Sequence, residues 1–97
     1  METNIAKAIF IDGKKINTEV DLHKYFKQTL NLPDYYGMNL HALWDCITGH
    51  IELPIKIIWK NFDTSKKKLG EEFMDYIVRL FERAKKELGE NFDYELK

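Results

Sequence analysis

The chain has 97 residues, of which 44% are hydrophobic, 13% aromatic and 32% charged, with a formal net charge of −1. That is apolar material for one small core, so a single domain spanning residues 1–97 is predicted. No apolar run approaches the ~20 residues of a membrane span, no basic stripe with interleaved aromatics suits nucleic acid, and Cys46 as the single cysteine excludes an intramolecular disulfide.

The N-terminal METNIAKAIFIDG lacks a basic segment, a long apolar stretch and a small-residue cleavage site, so a cytoplasmic location is expected. Ala8 to Ile11 is a short apolar run closed by the turn signal Asp12-Gly13 and reads as a buried strand, with Ile16 continuing it or packing beneath it. Thr18 followed by Asp21 marks a helix start. Val20, Leu22, Tyr25, Phe26, Thr29 and Leu30 then keep helical spacing up to Asn31, His23 is read as solvent-facing or capping, and Pro33 stops the helix.

A second helix follows Gly37 and is predicted to end at Gly49. After Leu53-Pro54 the β-branched run Ile55 to Trp59 is the candidate central strand. Asn61 to Thr64 reads as a loop with an N-cap, and Ser65 to Leu69 as a helical turn ended by Gly70. The run Lys66-Lys67-Lys68 reads as a solvated surface. Glu71 to Leu88 is the longest helical pattern, with Phe73, Ile77, Leu80, Phe81, Ala84 and Leu88 inward and Asp75–Arg79 and Glu82–Lys86 as i, i+4 pairs. Phe92 to Leu96 alternates as a last strand. Strands joined through helices predict an α/β fold with a parallel sheet and right-handed crossovers.

The chain is organised around Leu32 to Glu52, LPDYYGMNLHALWDCITGHIE. Leu40, Leu43, Trp44 and Ile47 form one apolar stripe, while His41, Asp45 and Thr48 occupy another face. With Tyr35 and Tyr36, both read as exposed though Tyr36 has packing of the loop as a competing role, and Trp44 at the stripe's edge, this is a cluster of aromatic anchors around an acidic group, as protein-binding surfaces use. Asp45 is expected near the helix C-terminus, where a carboxylate is disfavoured by ~0.3–1 kcal/mol, and such a local conflict marks function. Asp34, Asp45 and Glu52, with no Lys or Arg between them, suit a basic partner.

Catalytic constellations are lacking. No histidine stands in helical register with Cys46, which reads as a packing residue. His41 and Asp45 lie one turn apart, but further metal ligands would have to come from His50 or Glu52 beyond Gly49. The isolated Asp12-Gly13 and Tyr36-Gly37 pairs make no phosphate loop. No enzyme activity, metal or cofactor is therefore predicted.

The stretch Leu32 to Gly49 fits the pattern LPxYYGxNLxALWDCLTG with Ile47 at the last aliphatic position, and the likeness extends through VDLHKYFKQTL before it and FERAKKE after it. On these residues the chain resembles the barstar family, bacterial inhibitors of the extracellular ribonuclease barnase. The resemblance implies three parallel strands with packed helices, a cis proline at Pro54, and a secreted microbial ribonuclease of the barnase class as protein partner. It implies an inhibitory surface of Tyr35, Tyr36, Gly37, Asn39, Leu40, Trp44, Asp45, Thr48 and Gly49, with Asp45 entering the nuclease active site where a substrate phosphate would sit. Three positions depart from the pattern: His41 replaces a second interfacial aspartate, His50 a rim tryptophan, and Arg83 a contacting glutamate. The same fold serving as a binding or immunity module for a non-ribonuclease toxin is the alternative, favoured by His41 and Arg83. The free chain is expected as a monomer or a weak dimer through its exposed aromatics, binding neither membrane nor nucleic acid.

Overall fold

The computed structural model describes residues 6–97. The first five, which the sequence places in the domain and reads as free of a signal, lie outside the described residues. Strand β1 (Lys7–Asp12) leads through α1 (Glu19–Thr29) and α2 (Leu40–Gly49) to β2 (Ile55–Lys60). Then α3 (Phe62–Leu69), α4 (Glu71–Leu88) and a 3-10 turn (Gly89–Asn91) lead to β3 (Phe92–Leu96). The sheet runs β1-β2-β3, all parallel, with Ile9 beside Ile57 and Ile57 beside Tyr94, so β2 is central as its sequence predicts.

This topology decides where the helices go. Two right-handed crossovers that step in the same direction across a sheet place their helices on the same face. Burial alternates accordingly: Ile9, Ile11, Ile55, Ile57, Trp59 and Phe92 are buried, while Ala8, Phe10, Lys56, Ile58, Asp93 and Glu95 alternate with them on a face left partly or fully open. Parallel sheets are usually covered on both faces. Here the outer face is held with charge, Lys56 pairing with Glu95 at 3.2 Å.

Under the covered face, Trp59 meets Phe62 edge-on with ring centroids 5.6 Å apart, and Phe81 packs on both Trp59 and Phe92. The Trp59 indole donates to the Ser65 hydroxyl at 2.9 Å, so neither polar atom is buried without a partner. Gly13 passes so close to the next turn that a Cβ there would sit 2.2 Å from the Asn61 carbonyl oxygen. The Leu53–Pro54 peptide is cis.

Helix α1 starts on a full capping box: the Thr18 hydroxyl accepts from the Asp21 amide at 3.1 Å and the Asp21 carboxylate accepts from the Thr18 amide at 3.2 Å. It ends before Pro33 is reached. Asn31 turns left-handed (φ 53°), and the Leu32 amide donates back to the Lys27 carbonyl at 2.9 Å.

Several expectations need correcting. Val20 is 52% exposed; it stands two residues, about 200° of turn, from the inward Leu22. His23 is buried rather than solvent-facing. The Asn61–Thr64 loop is helical from Phe62, because Asn61 makes the turn alone in a left-handed conformation (φ 55°). In α4, Met74 is fully buried while Phe73 and Leu88 are only partly so. The Asp75–Arg79 and Glu82–Lys86 pairs are absent among the described residues; Glu82 accepts the Tyr94 hydroxyl instead, and Lys85 pairs with Asp93.

Candidate functional site

The approach to α2 is a loop whose turn falls at Met38 (φ 55°) rather than at Gly37 as expected. Asn39 caps the helix, its side-chain oxygen accepting from the Ala42 amide at 2.8 Å and its amide nitrogen reaching back to the Gly37 carbonyl at 3.2 Å. Tyr36 is 6% exposed, against the expectation of two exposed tyrosines. Its hydroxyl lies 2.6 Å from Nδ1 of His23 on α1, which ties the loop to the core. Burial raises the Tyr36 phenol and lowers the His23 imidazole from their ordinary pKa values, so both are held neutral. Of the pair, Tyr35 alone faces out, at 76% exposure.

Leu43, Cys46 and Ile47 anchor α2 in the core, which sets which residues it presents. His41, Asp45 and Thr48 are exposed and Trp44 is half-buried. Asp45 sits mid-helix rather than at the C-terminal end, since the last turn closes on Cys46, whose carbonyl accepts from both His50 and Ile51. The dipole conflict read from the sequence therefore falls away; what distinguishes Asp45 is an exposed carboxylate beside the half-buried Trp44. Nε2 of His41, one turn earlier, lies 3.6 Å from that carboxylate and pairs with it as an ion only when the imidazole is protonated. Thr48 turns its hydroxyl to the Trp44 carbonyl at 2.8 Å.

Gly49 belongs to the last helical turn, and His50 is the cap. Its φ is not left-handed, and a Cβ there would meet nothing within 4 Å. The fold does not require glycine at this position.

Helix α2 lies along α4, and between them opens a groove of about 500 Å³ lined by Leu40, His41, Trp44, Asp45, Tyr76, Arg79, Leu80 and Arg83. Arg83 lies over the Trp44 ring, its guanidinium carbon 4.5 Å from the centroid. The sequence reading gives Leu80 to the core and Arg79 to a surface pair and assigns Tyr76 no role, although with Arg83 the three share the i, i+3, i+4, i+7 spacing of one helix face. The stretch from Asp34 to Glu52 holds no Lys or Arg, but the fold brings two arginines beside Asp45. His50 does not join this groove. It stands edge-on to Tyr35 with centroids 6.4 Å apart and borders a separate small cleft with Lys7, Leu30, Asn31, Ile51, Glu52 and Ile55.

The arrangement offers contact surface rather than chemistry. Cys46 is buried, and burial with the neighbouring Asp45 charge pushes its thiol above the ordinary range, away from the thiolate a nucleophile needs. Among the described residues no group of three or more His, Cys, Asp or Glu could hold a metal ion, and no helix is long and apolar enough to cross a membrane.

The family model described as "Barstar (barnase inhibitor)" matches residues 6–96. A Bacillus subtilis (strain 168) protein named "Putative ribonuclease inhibitor YrdF" is 41% identical over 86 residues, covering 89% of this chain and 93% of that protein. The fold, the length of the match and this identity establish that the chain belongs to the barstar family.

Proposed function

We propose that this chain is an inhibitor of a barnase-class ribonuclease, acting inside the producing cell and occluding the enzyme's active site with the Leu32–Glu52 surface. The observation that carries the reading is Asp45. Its side chain is 62% exposed at the centre of a helix fixed to the core, flanked by half-buried Trp44. A carboxylate so held is pre-ordered for a pocket lined by cationic groups that bind phosphate, where charge-assisted hydrogen bonds form away from water. Tyr35 and Trp44 supply apolar contact around it, and Asn39, Tyr36 and His23 keep the loop and helix in one conformation. The interface is expected at standard size, on the order of 1,600 Å² in total. Inhibition is by occlusion, with no cofactor.

The test is titration of the protein into a barnase-type ribonuclease while following RNA cleavage, with Asp45→Ala beside it. The expected result is stoichiometric inhibition that the variant loses, by roughly thirtyfold or more in affinity, as for an interface hot spot. Inhibition by the variant equal to that of the parent would overturn the role of Asp45. A partner of another class, such as a non-ribonuclease toxin, is favoured by one feature, the two arginines beside Asp45.

A further inference from the structure

The groove between α2 and α4 carries opposite charges on its two walls. Asp45 and Trp44 stand on the α2 side, Arg79 and Arg83 on the α4 side. Both arginines are exposed, and among the described residues neither makes an ion pair. The group nearest the Asp45 carboxylate is Nε2 of His41 on its own helix, 3.6 Å away. Two unpaired guanidinium groups one helical turn apart repel each other modestly, so the fold gains nothing electrostatically by placing them there. Yet Arg83 lies over Trp44, its guanidinium carbon 4.5 Å from the ring centroid. A guanidinium over an indole face keeps N–H donors available for a carboxylate, which it can grip with two parallel hydrogen bonds.

We infer that Arg79 and Arg83 form a second subsite of the binding surface, taking an acidic side chain of the nuclease, and that this pair selects the partner. The inference rests on the inhibitor reading. The cognate nuclease then presents a cationic active site opposite Asp45 and, across the width of the groove, a carboxylate opposite α4. A nuclease with lysine or arginine at that second place is rejected, because its cation meets two others in a partly desolvated contact. Phosphate-rich ligands fit the two arginines alone but not the pairing with Asp45, which repels them.

The experiment uses a barnase-type ribonuclease in which each lysine or arginine bordering the active-site cleft is reversed to glutamate, one at a time, with binding measured against the parent chain, Arg83→Gln, Arg79→Gln and Asp45→Ala. All three positions are exposed, so the variants keep the fold. The subsite requires that at least one reversed nuclease binds the parent chain about tenfold or more tighter than the unreversed one, and that Arg83→Gln or Arg79→Gln removes this gain. Binding that depends on Asp45 but shows no such gain, or a gain indifferent to both arginines, overturns the subsite and leaves the inhibitor reading standing. No binding by any pairing at micromolar concentration overturns both.

Discussion

At the scale of single residues, His23 and Tyr36 show how the loop before α2 is fastened. Two buried polar groups from segments thirteen residues apart satisfy each other at 2.6 Å. Tyr36→Phe strands the His23 ring nitrogen, which should cost about 1–3 kcal/mol in denaturant unfolding. Because burial lowers the His23 pKa, the unfolded chain takes up its proton more readily than the folded one. The stability that neutral His23 contributes is present above about pH 6.5, the ordinary histidine value, and is lost as the pH falls below it. Urea midpoints should therefore drop between pH 7.5 and 5.5, and the drop should shrink in His23→Gln. Parallel curves for the two proteins would assign the acid sensitivity elsewhere. Gly13 makes a steric prediction of another kind. A methyl group there meets the backbone oxygen of Asn61 at 2.2 Å, so Gly13→Ala should destabilise by about 1–3 kcal/mol, the range of forced overpacking and backbone shift.

At the scale of elements, the strands and helices other than α3 were legible in the sequence to within a residue or two, because periodicity and punctuation agree there. Ala8 to Ile11 grew only by Lys7 and Asp12, and Phe92–Leu96 is where its alternation placed it. The misses have one physical origin, in that the deciding partner is far away in the chain. His23 looks like a surface residue until Tyr36 arrives, and Arg79 looks like half of an i, i+4 pair until α2 lies beside it. The start of α3 was hidden in the backbone of Asn61, whose left-handed turn shortens the loop to one residue. Of the candidate site, Leu40, His41, Trp44, Asp45 and Arg83 meet in the groove, Tyr36 is tied to His23, Asn39 caps α2, and His50 stands apart beside Tyr35. Helix α2 offers a clean separation of stability from binding. Gly49→Ala meets no obstacle and should leave stability unchanged or raised by up to about 1 kcal/mol, while weakening inhibition if a partner covers the helix end. Thermal melting and inhibition measured on the same variant check both halves. Asn39→Ala should do the reverse at first, losing about 1 kcal/mol of stability through the cap.

For the whole molecule, charge is the variable to watch. A net charge of −1 gives little long-range attraction for a basic enzyme, and the α4 arginines oppose Asp45 locally. Association should therefore be modest in rate and change little with ionic strength, in contrast to strongly steered pairs. Stopped-flow association between about 20 and 200 mM salt measures this directly; a steep decline would mean that the local field near Asp45 outweighs the balance of the whole.

The one-sided sheet has a practical consequence. Ile58 and Glu95 alternate with the residues that face the helices, so the proposed binding surface and this outer face lie on opposite sides of the β-layer. With Cys46 buried and its thiol held protonated, a cysteine placed at Glu95 would be the one readily labelled by a maleimide at neutral pH. The molecule thus comes with a rear attachment point, from which it can be tethered to a sensor or carry a fluorophore while α2 and its groove stay turned toward the solution.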